Sequence, residues 1–202
     1  LIVSDDQGLY DVSYYDTKDI KTPNIDFIGK MGIRLDNFYA NSPVCSPTRA
    51  SIMTGLYPDR AGVPGVIRTN PSNSWGHLRT DVRILPVELK NLGYNTALIG
   101  KWHLGIVPPN LPNSRGFDYF HGWLGDMMDD YWSHLRHDIN YMRLNEKTIK
   151  AKGHATDLFT KWSVSYIKSQ LKSKKPFFLY LAYNAPHFPV QPPKSFLDTV
   201  LK

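Results

Sequence analysis

The sequence is poor in cysteine and has no long apolar run, and each shortage excludes a class of protein. Its 202 residues include a single cysteine, Cys45, which excludes an intrachain disulfide and any zinc or iron–sulfur site built from several cysteines. The longest apolar run, residues 177–183, falls well short of the roughly 18 residues that a membrane-spanning helix needs. Because 42% of the residues are hydrophobic and only 21% are charged, intrinsic disorder is excluded as well. The sequence therefore predicts a globular protein with no membrane span.

The start of the chain lacks an initiator methionine and a targeting segment. Residues 1–4, Leu-Ile-Val-Ser, have the apolar character of a buried strand, so we expect the chain to begin inside a strand. The formal net charge is +6, which suits any polyanion and by itself identifies no partner. Part of this charge, Lys172, Lys174 and Lys175, lies at the C-terminal end of a predicted helix, where the helix dipole favours cations. We therefore expect no nucleic-acid partner.

Strands and helices alternate along the chain in the order typical of an α/β domain. The predicted strands are residues 1–4, 33–39, 94–99 and 177–183. The predicted helices are a segment from Thr22-Pro23 to Gly32, and residues 48–54, 84–92 and 155–172. Residues 107–141 show no steady period, and we interpret them as a long surface excursion with at most short elements. This order predicts a largely parallel sheet flanked by helices, with ligands at the carboxyl ends of the strands.

Four polar clusters follow a predicted strand or precede a predicted helix. They are Asp5-Asp6, Cys45 to Arg49, Lys101 to His103, and His187. Two adjacent carboxylates at a strand end suit a hard cation such as Ca²⁺ or Mg²⁺, although such a pair alone is also typical of a solvated turn. Lys101 and His103 point the same way if the chain between them is extended. The α/β pattern predicts that the four clusters lie at one edge of the sheet.

Cys45 opens a long and unusual string, Cys-Ser-Pro-Thr-Arg-Ala-Ser-Ile-Met-Thr-Gly. One interpretation is a free thiol packed as a small hydrophobic group, just before the N-terminus of the helix. Another is a thiolate nucleophile activated by that N-terminus and by Arg49. A cysteine sulfur is a soft ligand, whereas the carboxylates of Asp5 and Asp6 suit a hard cation, so the two do not fit the same metal ion. This mismatch disappears if oxygen replaces the sulfur.

These clusters together resemble the motifs of a known family. Cys45-Ser46-Pro47-Thr48-Arg49 is similar to the sulfatase signature Cys-X-Pro-X-Arg, whose cysteine is oxidised to formylglycine. The second signature of that family is similar to residues 100–105, its N-terminal metal motif to residues 5–8, and its histidine loop to Ala185-Pro186-His187. The resemblance implies an alkaline-phosphatase-like α/β fold and the hydrolysis of sulfate monoesters. It also implies that residues 1–202 are the N-terminal portion of a single sulfatase catalytic domain, truncated at both ends.

The resemblance further implies a divalent cation, calcium in preference to magnesium, held by Asp5, Asp6 and the modified side chain at Cys45. A formylglycine-generating (sulfatase-maturing) enzyme is the partner that makes this side chain. The hydrate of formylglycine carries two hydroxyls on one carbon, which supply hard oxygen ligation and a nucleophile. Other metal ligands of the family follow its histidine loop and are missing from these residues. We therefore expect the 202-residue chain alone to bind calcium poorly and to be inactive.

Four further residues take catalytic roles in the resemblance. Arg49 steadies the modified side chain at position 45, and Lys101 and His187 hold sulfate oxygens. His103 bonds to the formylglycine hydrate and helps to deprotonate it. Ser46 and Thr48 occupy variable positions of the signature, and we assign them no chemistry.

The substrate is the feature that the sequence determines least. A sulfated carbohydrate is favoured over a small aryl sulfate, because polar and aromatic side chains are available to line a sugar pocket. They are Trp75, His77, Trp123, Asp126, Asp129, Asp130, Tyr131, Trp132, His134, Arg136 and His137. Packing within loops explains each of them equally well.

Two alternatives to a sulfatase stay open at this stage. One is a phosphate or phosphonate monoester hydrolase of the same superfamily, and the other is a non-catalytic homologue with an unmodified Cys45. The family resemblance also implies a periplasmic, secreted or lysosomal location.

Overall fold

A six-stranded, mostly parallel sheet organises residues 1–200, which are the residues that the computed structural model describes, apart from the side chains at 71, 199 and 200. In chain order the strands are β1 (Ile2–Asp5), β2 (Asn95–Lys101), β3 (Tyr119–Trp123), β4 (Leu135–Arg136), β5 (Ile139–Asn140), β6 (Met142–Leu144), β7 (Lys147–Thr148) and β8 (Phe177–Pro186). The order in the sheet is β1-β8-β2-β3-β6-β7, while β4 and β5 form a separate hairpin. The first three pairings are parallel and the last two antiparallel. The predicted α/β fold with a largely parallel sheet is confirmed.

The four predicted helices lie close to their predicted positions, and two short helices that were not predicted are present as well. They are α1 (Pro23–Met31), α2 (Cys45–Thr54), α3 (Pro58–Ala61), α4 (Leu85–Asn91), α5 (Ala155–Gln170) and α6 (Lys194–Val200), with short 3-10 turns at Ser13–Tyr15, Pro71–Asn73 and Asn113–Arg115. The main difference concerns α2, which begins at Cys45 instead of Thr48. Cys45 is therefore the first residue of the helix rather than a residue of the preceding loop. No helix within residues 1–200 is both long enough and apolar enough to cross a membrane.

The two faces of the sheet are covered by different helices. Side chains alternate along a strand, so odd and even residues of β8 face opposite sides. On the odd side, Tyr183 bonds to Thr160 of α5. On the even side, Tyr180 accepts a hydrogen bond from Arg49 of α2. The central strands β2 and β8 are thus buried between α5 and α2.

The prediction of a strand at residues 33–39 is wrong. All seven residues are described, and none belongs to a strand. Ile33, Phe38 and Tyr39 expose 89%, 76% and 79% of their surface, so the alternating pattern is not buried against the described residues. The predicted apolar face of α1 is exposed as well. Alternation predicts a strand only where a neighbouring strand supplies hydrogen bonds, and no described strand lies beside this segment.

The excursion from 107 to 141 contains a strand of the main sheet that the sequence analysis did not predict. Residues 119–123 form β3, which pairs in parallel with β2 from Ala97 opposite Tyr119 to Lys101 opposite Trp123. His121 and Gly122 interrupt the apolar pattern of this strand, which explains why it was not predicted. The excursion therefore enters the main sheet at residues 119–123 and forms a separate short hairpin, β4-β5, further along.

Candidate active site

The carboxyl ends of three adjacent parallel strands meet at one edge of the sheet. Asp5 is the last residue of β1, Lys101 is the last residue of β2, and His187 directly follows β8, which lies between them. Gly100 permits the close approach of β2 to β8, because a Cβ there would lie 1.9 Å from the carbonyl oxygen of Ala182. Four clusters that are far apart in the sequence are thus brought to one edge, as the α/β pattern predicts.

Asp5 is a buried carboxylate held by two cations. Its Oδ2 accepts a hydrogen bond from Lys101 Nζ at 2.5 Å, and its Oδ1 lies 3.3 Å from Arg49 Nη2. All three side chains are buried, with Lys101 fully inaccessible to solvent. Burial by itself would raise the pKa of Asp5, but the charges of Lys101 and Arg49 lower it below its ordinary value. The buried group therefore carries two positive charges against one negative charge.

Arg49 ties α2 to the two central strands. It lies one helical turn after Cys45, and its Nη1 donates to the carbonyl of Lys101 at 3.0 Å and to Tyr180 Oη at 3.3 Å. Tyr180 is a site residue that sequence reasoning missed. Its alternation with Tyr183 is visible in the sequence, but which side of β8 meets α2 is decided by the packing.

Cys45 lies at the N-terminus of α2 beside this charge cluster. Its Sγ, a carboxylate oxygen of Asp5 and a ring nitrogen of His187 all lie within 4.8 Å of one another. Cys45, Asp5, Asp6 and Arg49 line a cavity of about 280 Å³. Burial raises the pKa of the Cys45 thiol, and the charges of Lys101 and Arg49 only partly oppose this. The unmodified thiol is therefore protonated at neutral pH, which argues against the interpretation of Cys45 as an activated thiolate.

His187 presents one ring nitrogen to the site. Its Nδ1 lies 2.7 Å from the carbonyl oxygen of Phe188, so Nδ1 is the donor in that contact. Its Nε2 lies 3.5 Å from Oδ2 of Asp6, whose side chain is half exposed. The backbone of the following residue thus fixes the tautomer, and Nε2 is directed at the acidic turn.

His103 is buried, and its backbone has φ of +58°. The extended chain from which a common direction with Lys101 was predicted is therefore not present at residue 103. His103 Nε2 donates to the carbonyl of Ile67 at 2.6 Å, and the Ile67 N–H donates to Ser46 Oγ at 3.0 Å. Ser46, to which we assigned no chemistry, therefore anchors the segment that orients His103. No described residue bonds to His103 Nδ1.

Burial, followed by the positive charges of Lys101 and Arg49, lowers the pKa of His103 well below 6.5. The imidazole is therefore neutral near pH 7, with a free acceptor nitrogen. The free Nδ1 is able to accept a hydrogen bond, although the lowered pKa makes this imidazole a weaker base than an exposed histidine.

Most candidates for a sugar pocket hold the excursion together instead. Arg136 pairs with Asp126 at 3.1 Å and with Asp129 at 2.6 Å, and His134 Nε2 bonds to the carbonyl of Gly153 at 2.8 Å. Trp123 is fully buried. Asp130 Oδ1 accepts hydrogen bonds from the backbone N–H groups of residues 132 and 133, and Asp129 accepts one from the backbone N–H of His137. Trp75, His77 and Trp132 are exposed. Tyr131 is the exception, since it is buried and hydrogen-bonded to the His187 loop.

The donors at this edge match a hard cation only in part. Asp5 and Asp6 offer carboxylate oxygens, which Ca²⁺ and Mg²⁺ prefer. The sulfur of Cys45 and the imidazole of His187 are softer donors. The set therefore fits calcium if position 45 carries oxygen in place of sulfur.

Comparisons with known proteins cover nearly the whole chain. The family model described as Sulfatase matches residues 1–200. Mouse (Mus musculus) arylsulfatase J is 36% identical over 98% of this chain, which corresponds to 33% of the relative's length. Rat (Rattus norvegicus) N-acetylgalactosamine-6-sulfatase is 32% identical over the full chain and 42% of its own length. The chain thus spans less than half the length of these relatives.

Solved structures agree with the sequence comparisons. The chain matches Ps i-CgsB in complex with k-i-k-neocarrahexaose with a TM-score of 0.90 at 35% identity, over 98% of this chain and 47% of that one. It matches BT4656 in complex with D-glucosamine-2-N,6-O-disulfate with a TM-score of 0.79 at 30% identity, over 98% and 36% of the two chains. Since the family model extends over residues 1–200, the chain belongs to the sulfatase family.

Proposed function

We propose that the protein containing this chain hydrolyses sulfate monoesters, with position 45 as the nucleophile. The observation that carries the proposal is the buried charge cluster beside Cys45, in which Lys101 and Arg49 share the single carboxylate of Asp5. A buried excess of positive charge is stabilised by an incoming anion. The N-terminus of α2, with its free N–H groups, adds to the attraction at the same point.

The modification of Cys45 to formylglycine is part of the proposal. When present, its hydrate supplies a nucleophilic hydroxyl and a second hydroxyl through which the aldehyde is regenerated. The raised pKa of the unmodified thiol supports this reading, because a protonated, largely buried thiol is a poor nucleophile. The partner that this requires is a formylglycine-generating enzyme.

The remaining residues bind charge and move protons. Lys101 donates to sulfate oxygens, and His187 directs Nε2 toward the same space. Arg49 fixes the first turn of α2 through its bonds to Lys101 and Tyr180, and so fixes position 45. His103 is neutral, and its unpaired Nδ1 would accept a hydrogen bond from a hydroxyl at position 45 and help to deprotonate it. Preorganised charges of this kind contribute more to catalysis than any single proton transfer.

Calcium is the proposed metal, held by Asp5, Asp6 and an oxygen at position 45. Its chemistry is to favour the ionised form of a bound hydroxyl and to offset charge on the sulfate group. Asp5 is already ionised, because its pKa is lowered, so no proton has to leave it before it binds a cation.

The proposed substrate class is a sulfated carbohydrate, and periplasmic, secreted or lysosomal location remains the prediction. N-acetylgalactosamine-6-sulfatase is a relative that carries a sugar in its name, and BT4656 was solved with a disulfated glucosamine. Turnover of aryl sulfates alone by the full-length protein would contradict the substrate class but not the reaction.

Peptide mass spectrometry across Cys45, combined with sulfate release, tests the function. The full-length protein is produced in cells with and without a sulfatase-maturing enzyme. We expect sulfur to be lost from position 45 only with that enzyme, and sulfate release to follow the modified fraction. Activity from protein whose Cys45 sulfur is intact would refute the proposal. Faster turnover of a matched phosphate ester than of the sulfate ester would favour the phosphohydrolase alternative.

A further inference from the structure

A hydrogen-bonded bridge joins Tyr131 in the excursion to the loop that carries His187. Tyr131 Oη donates to the main-chain carbonyl of His187 at 2.7 Å, and the Tyr131 N–H donates to Gln191 Oε1 at 2.8 Å. Gln191 Nε2 donates in turn to Asp130 Oδ2 at 2.8 Å. The loop is therefore attached to residues 130 and 131 at two points, four residues apart.

Tyr131 is itself held rigidly. It is 3% exposed, and its ring stacks on that of His154 with centroids 5.3 Å apart and planes 18° apart. Its carbonyl accepts the N–H of Ala155 at 2.9 Å, at the start of α5. His154 Nε2 donates to the carbonyl of Gln191 at 2.8 Å. The bridge thus connects the loop to the N-terminus of α5, which packs on the sheet.

The bridge acts on the backbone of the residue whose side chain enters the site. Tyr131 bonds to the carbonyl of His187, and the His187 ring is oriented by its bond to the carbonyl of Phe188. A shift of this backbone therefore moves Nε2 relative to Cys45 and Asp5. Misplacement of a catalytic group by about 1 Å costs on the order of 100-fold in rate.

The phenol of Tyr131 remains a donor under ordinary conditions. Burial raises its pKa strongly, and the negative charges of Asp5 and Asp6 raise it further. The Tyr131 hydroxyl therefore stays protonated at neutral pH and is able to donate to the His187 carbonyl.

We propose that Tyr131 is a positioning residue, which sets the location of His187 Nε2 by holding the main-chain carbonyl of His187. The inference rests on the proposed function. Tyr131 acts through the loop backbone, to which its hydroxyl donates.

The test is Tyr131→Phe in the full-length protein, which keeps the ring stacked on His154 and removes only the donor. We expect kcat for a sulfate ester to fall about tenfold while KM changes less than about twofold, because a lost hydrogen bond of ordinary strength displaces the loop. The matched control is Tyr183→Phe on β8, the strand that leads to His187, which removes a hydroxyl bonded to Thr160 Oγ1 at 2.8 Å. Its kcat should equal that of the wild type.

A double-mutant cycle separates positioning from general stability. In a His187→Ala background, Tyr131→Phe should cause no further loss of residual activity, because the group that it positions is absent. Hydrogen exchange of the peptide covering residues 186–193 should become faster in Tyr131→Phe and not in Tyr183→Phe. Additive losses in the cycle, or unchanged exchange in this peptide, would overturn the assignment. A wild-type protein that is inactive on sulfate esters refutes the proposed function instead, and the exchange measurement then decides whether Tyr131 holds the loop.

Discussion

The two ends of the sheet around β2 each carry a lysine–aspartate pair at the same distance, in opposite environments. At the carboxyl end, Lys101 Nζ lies 2.5 Å from Asp5 Oδ2, and the two side chains are 0% and 5% exposed. At the amino end, Lys90 Nζ lies 2.5 Å from Asp118 Oδ1, with side chains 55% and 38% exposed. The two contacts thus have the same distance but differ in burial.

The partners around each pair explain why one is a candidate catalytic group and the other is structural. Asp118 also accepts a hydrogen bond from the backbone N–H of Thr96 at 3.1 Å, so it fixes the start of β2. Because its side chain is partly exposed, water screens its charge. Asp5 instead receives a second buried cation from Arg49 and lies beside Cys45. A buried charge that local partners do not balance has to be explained by a ligand, whereas a solvated pair does not.

The largest effect is expected for Cys45→Ala. Removing the proposed nucleophile should lower the kcat of the full-length protein for a sulfate ester by at least about 1,000-fold, as for other nucleophile deletions. The buried pair should survive, since Cys45 donates no hydrogen bond to it. The measurement is kcat alongside the denaturant midpoint, and a variant that keeps half of the wild-type activity would contradict the assigned role.

Lys101→Met should damage both stability and activity. Asp5 would remain buried with only Arg49, and breaking a buried pair in this way costs about 3–5 kcal/mol in the free energy of unfolding. Since Lys101 is the cation proposed to hold the sulfate, its loss should also lower kcat about 100-fold. Urea unfolding and sulfate release measure the two effects. A stability loss smaller than that of Lys90→Met would contradict the claim that the buried pair contributes more to stability than the exposed one.

The third effect is a pH dependence of stability that arises at the carboxyl end. The pKa of His103 is depressed in the folded state, so below about pH 6.5 the unfolded chain binds a proton that the folded chain does not. The free energy of unfolding should therefore fall as the pH is lowered from 7 to 5, by at most about 1.4 kcal/mol per pH unit for each such histidine. His121, with its pKa lowered to about 4 by burial, and His134 contribute in the same direction.

Single substitutions separate these contributions. His103→Gln and His121→Gln should each remove part of the slope, measured by urea unfolding at several pH values, but only His103→Gln should reduce sulfate release. An unchanged slope in His103→Gln would show that this histidine titrates normally in the folded protein.

The smallest effect is expected for Lys90→Met, the exposed counterpart of Lys101→Met. Surface ion pairs contribute about 0.2–1 kcal/mol, so the urea midpoint should shift slightly and kcat should not change. Because water and salt screen the pair, the difference from the wild type should shrink further as the salt concentration increases. A loss as large as that of Lys101→Met would mean that exposure does not control the strength of these pairs.

Segments with a strong local signal were predicted well from the sequence. Helix α5 and strand β8 have clear periodic or continuous apolar patterns and lie within a few residues of their predicted bounds. The motifs around Asp5, Cys45, Lys101 and His187 were found by residue type and spacing, and their meeting at one edge follows from the parallel sheet. Strand β3 and residues 33–39 were misjudged because pairing with a neighbouring strand, rather than the local pattern, decides them.

The sequence by itself determined the chemistry available to this protein: one cysteine within a family signature, two adjacent carboxylates, and a lysine and a histidine at strand ends. Only the tertiary structure decided how that chemistry is tuned. It buried Asp5 between two cations, turned His103 toward Ile67, and attached the His187 loop to Tyr131. The physical reason is that desolvation and charge proximity depend on contacts between residues far apart in the chain, which no local pattern encodes.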